Sequence, residues 1–367
     1  MRLTKINKRK IKNIKKHKAH TINSPIYNKE SKKSKTESSL KENKKRLVLW
    51  PIYLLFFIFL ILYFIFEHEP DLSIIFGLTS FILLVLLLGF EITSSFKSEG
   101  YKKVIIEVFG TIIVVAVIWI SLIYLLNTNY PINVVPSCSM RPALIRGDII
   151  AIYGITNITQ IKAPIVNVSS TEMNAILNPD YSDSLSCVAY TYINGSVHIS
   201  QDYKSGWIIG LYKNYGGKEE ILNNSNGYPI SYNCGVRDMK YNNGTIGREA
   251  YLESITINNH TISGDANNSI VVYRTLPSDL FYKEGDSFIV HRAYVILNDS
   301  GKYYIATKGD NNPGLDMEYY NYPPEENQIV GKVIGKVPYL GYLKLIISGD
   351  FSPPAGCNST VIHSWES

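Results

Sequence analysis

Three long apolar runs fill the first third of this chain and limit what it can fold into. Leu47–Phe66 is twenty residues without a charge, Leu72–Phe90 is nineteen, and Val108–Leu126 is nineteen. At about 1.5 Å rise per residue, each run as a helix can cross a hydrocarbon layer of ~30 Å. A helix packed on a water-soluble core keeps one polar face, and none of these runs has one. The sequence therefore predicts three transmembrane helices, at 47–66, 72–90 and 108–126. The basic stretch ahead of the first is too long for a cleavable leader.

Charge sets the expected orientation. Residues 1–46 hold 17 Lys/Arg against three Glu, while the rest of the 367-residue chain holds 20 basic and 28 acidic residues. Basic flanks stay in the cytoplasm, so 1–46 reads as a basic cytoplasmic tail. The link EHEPD has no Lys or Arg, and the next link, Glu91–Glu107, carries Lys97, Lys102 and Lys103. Three crossings then leave everything after Leu126 outside the cell membrane, as the extracytoplasmic part of a multi-pass protein. Nine Asn-x-Ser/Thr sequons, from Asn157 to Asn358, all lie beyond the third run. That distribution agrees with an extracytoplasmic domain. The Lys-rich tail, poor in apolar residues, reads as a solvated segment resting on anionic lipid, with no nucleic-acid partner expected.

Past Leu126 the pattern changes to short apolar runs broken by Gly, Asn, Pro and Asp. "VNVSSTEM", "SFIVHRAYVIL", "KYYIATKGD" and "NQIVGKVIGKV" read as strands, so the outer portion is expected to be mainly β. Residues 160–262 are richer in Asn and Tyr than their flanks and read as an inserted subdomain of unknown role. The cysteines, Cys138, Cys187, Cys234 and Cys357, lack the paired spacing of a zinc site. A Cys187–Cys234 disulfide is permitted outside the membrane, though spacing does not require it.

The stretch "PSCSMRPALIRGDIIAIYG", 136–154, is the candidate for chemistry. A serine in such a turn usually bonds local backbone, and it becomes a nucleophile only beside a base. Met140 can pack inward while Ser139 stays on the opposite side, where Ser137 also lies in an extended chain. The Ser137 hydroxyl and the Ser139 N–H can together donate to an oxyanion. His291 interrupts the strand-like "FIVHRAYVI" and is the best-placed base. Asp310 and Asp316, in "TKGDNNPGLD", either orient that histidine or shape a polar turn. Their spacing is not that of a calcium loop.

The ordered set "SCSMRP", "RGD", "IVVYR", "IVHR", "TKGDNN…D" and "GKVIGKVPYLG" resembles type I signal peptidases of the archaeal and endoplasmic-reticulum branch. The resemblance covers about 130–159 and 263–345. It implies a mainly β catalytic domain, with a mixed and partly barrel-like sheet, behind three N-terminal transmembrane helices. The serine peptidase core would comprise 127–159 and 263–345, with 346–367 as a C-terminal tail. Ser139 is then the nucleophile, His291 the base in place of a bacterial lysine, and Asp316 its acidic partner. Asp310 is expected to hold its loop in shape, while Ser137 and Met140 line the oxyanion and substrate side. No metal or other cofactor is implied. Expected partners are preprotein signal peptides, the lipid bilayer and the protein-export machinery.

Two departures from that family stand out. Cys138 occupies the place between the serines where the family usually has Gly, and 160–262 intervenes between nucleophile and base. On composition alone the insertion is expected to be separable from catalysis. The competing reading is a catalytically inactive, glycosylated cell-surface binding protein on the same scaffold.

Overall fold

The computed structural model describes residues 50–66, 69–99, 101–178, 185–215, 218–222, 229–354 and 356–362. The expectations for 1–46, and for the first three residues of the first apolar run, lie outside the described residues.

Helix α1 (Trp50–Ile65) is followed by α2 (Pro70–Glu99) and α3 (Tyr101–Leu125). Among the described residues, two helices are long and apolar enough to cross a membrane, through Leu72–Thr93 and Val104–Leu125. The described part of α1 is shorter, so the expected third span is not established by its length. The charged link Glu91–Glu107 is largely helical, since α2 runs on to Glu99 and α3 begins at Tyr101. On α3, Ile112, Val115 and Trp119 are 58%, 60% and 45% exposed, so this is not the core helix of a soluble protein.

The chain leaves α3 and turns at once into sheet. Gly154 N–H donates to the Leu126 carbonyl at 2.8 Å, stitching the end of the first sheet strands to the end of the helix. Only glycine fits there, since a Cβ at 154 would lie 1.9 Å from the Asn127 carbonyl oxygen.

A seven-stranded sheet forms the centre. It contains β1 (Ile132–Val134), β2 (Ile149–Tyr153), β3 (Ile165–Asn167), β11 (Ile270–Arg274), β12 (Phe288–Asp299), β13 (Lys302–Lys308) and β14 (Ile329–Val337). The order is β1-β2-β14-β11-β12-β13, antiparallel throughout, with β3 parallel to β12. A second sheet, β10-β9-β8-β15, is built from β8 (Ile230–Tyr241), β9 (Ile246–Ile257), β10 (His260–Ser263) and β15 (Ser359–Val361). The third, β5-β4-β6-β7, comprises β4 (Leu185–Ile193), β5 (Ser196–Ser200), β6 (Ile208–Tyr215) and β7 (Lys218–Leu222). The chain after Leu126 is thus mainly β among the described residues, as expected.

One predicted strand is partly a helix. In "VNVSSTEM" only β3 is extended, and α4 (Ser170–Ile176) follows at once. Ser169 caps the Glu172 N–H while the Glu172 carboxylate accepts from the Ser169 N–H, a capping box that was legible in the Ser-x-x-Glu spacing.

Strand β12 is buried on both faces. Ile289, Ala293 and Ile296 enter one core with Val271 and Tyr273, while Tyr294, Val295 and Leu297 enter another. Two consecutive residues share the second core because the register with β13 slips between Ala293 and Val295. That second core also holds Leu211, Ile230, Leu252 and Ile255, so residues of 160–262 are packed directly on the sheet. Residues 359–361 are built in as well, as β15 antiparallel to β8.

Candidate active site

The serine turn is anchored from three directions. Burial alternates along it, with Ser137 and Ser139 half-buried and Cys138 and Met140 buried. Met140 packs with Val135, Leu144 and Ile152, so its side chain points into the core and offers a substrate no surface. Its contribution is to fix the backbone that carries Ser139. Arg146 Nε donates to the Pro136 carbonyl at 2.9 Å. Asp148 Oδ2 accepts from the Ile145 N–H at 2.9 Å and Oδ1 from the Tyr339 N–H at 3.2 Å. The Arg-Gly-Asp of the sequence is therefore the brace behind the turn.

Strand β12 delivers His291 opposite Val271 of β11. Its Nε2 lies 2.8 Å from Ser139 Oγ, and its Nδ1 lies 2.6 Å from Asp316 Oδ2. Asp316 opens the 3-10 turn Asp316–Tyr319 that follows β13. Oδ2 also accepts from Thr307 Oγ1 at 2.6 Å and from the Tyr273 hydroxyl at 3.0 Å. Burial alone would push the Asp316 carboxyl up, but His291 beside it and the three hydrogen bonds outweigh burial and hold it below its ordinary value. Burial and the neighbouring Asp316 push the Tyr273 hydroxyl well up, so it remains a donor. An Nδ1–H tautomer of His291 satisfies Asp316 and leaves Nε2 as the acceptor facing the Ser139 hydroxyl.

Ser137 Oγ lies 3.2 Å from Ser139 Oγ, on the side expected from the alternation. Asp310 stands apart from the histidine. Its carboxylate takes a two-pronged pair from Arg292, Nε to Oδ1 at 2.8 Å and Nη2 to Oδ2 at 2.7 Å. Arg292 Nη1 also reaches the carbonyls of Ala266 and Asn268 at 2.6 and 2.7 Å. Adjacent residues on one strand thus serve the two aspartates, His291 taking Asp316 and Arg292 taking Asp310. A bidentate guanidinium was not read from the sequence, although "VHR" contained it.

Several further residues went unremarked in the sequence. Tyr273 and Thr307 both sat inside quoted motifs, but nothing in their spacing showed that they would meet at Asp316. Lys308 is fully buried and donates to the carbonyls of Gly309 and Asn312 at 3.3 and 2.5 Å. Burial pushes its amine down to about 7, while burial pushes nearby Glu318 up to about 8. Lys308 braces the loop, whereas His291 is the side chain whose ring nitrogen contacts Ser139 Oγ. The Ser139 carbonyl accepts from the Asn311 N–H at 2.7 Å. Gly309 permits that approach, since a Cβ there would come within 2.7 Å of the same carbonyl.

The two aspartates separate by experiment. Asp316→Asn keeps the volume but offers a donor where His291 needs an acceptor, and turnover is expected to fall by about four orders of magnitude, as in other Ser-His-Asp sites, with little loss of melting temperature. Asp310→Asn leaves Arg292 buried beside a neutral amide. That change is expected to cost roughly 3–5 kcal/mol of stability as well as rate. Melting curves and single-turnover rates on both variants give the comparison, and the reverse pattern would exchange the roles.

A hydroxyl, an imidazole and a buried carboxylate lie in line on a β scaffold, the arrangement of side chains that serine acyl transfer requires. No family model matches the chain. It is similar to proteins named signal peptidase complex catalytic subunit SEC11, from Zygosaccharomyces rouxii at 47% identity over 65 residues and Candida albicans at 38% over 64. A third, from Tuber melanosporum, is 35% identical over 86 residues. These matches cover 16%, 16% and 22% of this chain, and 39%, 39% and 41% of the relatives. The chain spans about two fifths of the length of the curated relatives it matches.

Proposed function

We propose that this chain is a membrane-anchored serine endopeptidase of the signal peptidase type, removing signal peptides from exported preproteins. The observation that carries the reading is the Ser139–His291–Asp316 relay, set in motifs whose order resembles that family. As Ser139 Oγ attacks the scissile carbonyl, its proton passes to His291 Nε2, and Asp316 stabilises the imidazolium. The oxyanion accepts from the Ser139 N–H and from Ser137, whose hydroxyl turns away from Ser139 to meet it. His291 then protonates the leaving amine and activates the water that releases the acyl group. The peptide is bound as an extended strand, with small side chains at the positions one and three residues before the cut.

Three membrane spans, a cytoplasmic basic segment and an extracytoplasmic β portion complete the reading. The basic residues before the first span and the placement of all nine sequons support that orientation. So do the disulfides Cys138–Cys357 and Cys187–Cys234, which use all four cysteines and persist in oxidising compartments. The relatives are named as subunits of a complex, so partner subunits of the export machinery belong to the proposal.

The test is cleavage of a model preprotein by the purified full chain in detergent, followed by sequencing of the product's new N-terminus. A single cut after a small residue at the end of the signal peptide is expected. An intact preprotein, with no acylation of Ser139 by a peptide-like acylating probe, would favour the inactive binding protein instead.

A further inference from the structure

The C-terminal residues 356–361 hold on to the nucleophile turn from several sides. Cys357 is disulfide-bonded to Cys138, the residue before Ser139, across 219 positions of sequence. On the other flank, Arg141 Nη1 donates to the Cys357 carbonyl at 3.0 Å. A third tie runs through Asn311. Its backbone N–H donates to the Ser139 carbonyl at 2.7 Å. Its side-chain Nδ2 donates to the carbonyls of Gly356 and Ser359 at 3.3 and 3.1 Å, and Oδ1 accepts from the Val361 N–H at 2.9 Å.

The same segment is fixed to the second sheet. β15 pairs with Met239–Tyr241 of β8, the Asn242 N–H donates to the Asn358 carbonyl at 2.9 Å, and Asn242 Nδ2 reaches the Cys357 carbonyl at 3.0 Å. Residues 356–361 therefore bridge a broad sheet and the few residues on either side of Ser139.

We propose that this segment is a covalently fastened strap that sets the position of Ser139, and that Asn311 is the positioning residue through which it acts. The inference deepens the serine-peptidase reading and rests on it. Its physical basis is geometric. Ser139 belongs to a turn, and the free rotation of a turn is what the relay to His291 least tolerates. The disulfide takes the place where a glycine would leave the backbone loose, and two hydrogen-bonded ties, through Arg141 and Asn311, limit what remains. A displacement of about 1 Å at a reacting group costs on the order of 10²-fold in rate.

The test compares two disulfides in the full chain. In Cys138→Ser/Cys357→Ser, kcat for preprotein cleavage is expected to fall by about 10²-fold with little change in KM, at a temperature where the protein is folded. Asn311→Ala, which keeps the backbone donor to Ser139 but removes the strap's three side-chain bonds, is expected to lower kcat in the same direction. Cys187→Ser/Cys234→Ser should lower the melting temperature and leave kcat unchanged. Amide hydrogen exchange at 137–141 adds a readout that needs no activity, and only the first and second variants should accelerate it. Unchanged kcat and unchanged exchange in Cys138→Ser/Cys357→Ser would overturn the strap, whatever its melting temperature. If that variant does not fold, Asn311→Ala decides by the same two measurements. A wild-type chain that neither cleaves nor becomes acylated refutes the peptidase reading, and the exchange data then judge the strap alone.

Discussion

Ser139→Ala is expected to abolish preprotein cleavage, with a loss on the order of 10⁶-fold in kcat, while the protein remains folded and membrane-inserted. Ser139 is half-buried and its hydroxyl is hydrogen-bonded to Ser137 and His291, and removing one oxygen atom opens little space. His291→Ala should lose as much activity, for a different reason. Without the imidazole, Ser139 has no base at 2.8 Å, and the buried Asp316 carboxylate loses one of its three donors. This variant should therefore melt lower than Ser139→Ala. Lysine at 291 should not restore activity, because an amine needs its own desolvating pocket to be neutral near pH 7. Lys308 has such a pocket, yet it is engaged with the carbonyls of Gly309 and Asn312. Near-normal cleavage by Ser139→Ala would remove the nucleophile assignment altogether.

Replacing 165–258 with a short Gly/Ser linker is expected to leave no folded, active protein. Composition suggested the opposite, that the insertion could be cut out, but the contacts argue against it. Arg237 on β8 donates to the carbonyls of Asp310 and Asn311 at 3.1 and 2.9 Å, and the Leu252 N–H donates to the Pro313 carbonyl at 2.7 Å. The replacement strips these donors from the loop that carries Asp310 and leads into Asp316. It also uncovers Tyr294, Leu297, Leu315 and Met317, which are now 0–2% exposed in the core shared with β8 and β9. At roughly 1.5–3 kcal/mol for each large apolar side chain, that loss approaches the whole stability of an ordinary domain, about 5–15 kcal/mol. Circular dichroism, melting and cleavage assays on the linker variant are the measurements. A folded variant with measurable cleavage would show that 160–262 is an accessory after all.

The amino-acid sequence alone determined what depends on local pattern. The apolar runs specified long helices, alternation and turn residues specified strands, and the ordered motifs pointed to Ser139, His291 and Asp316. Local pattern also carried information that went unread, such as the Ser169–Glu172 capping box and the second basic residue in "VHR". What only the tertiary structure decided is which distant residues meet. Tyr273 and Thr307 converge on Asp316 because β11 and β13 flank β12, and strand order is not written in any one strand. Arg292 selects Asp310 because neighbouring residues on β12 present different faces. The partner of Cys138 was equally hidden, since a bridge between positions 138 and 357 exists only once β15 has docked on β8. The insertion looked foreign in composition because its described asparagines are exposed, while most of its described tyrosines are partly or fully buried, Tyr190 and Tyr232 among them. Its buried side belongs to the same core as the sheet, and burial is a property of the folded chain, not of the residue.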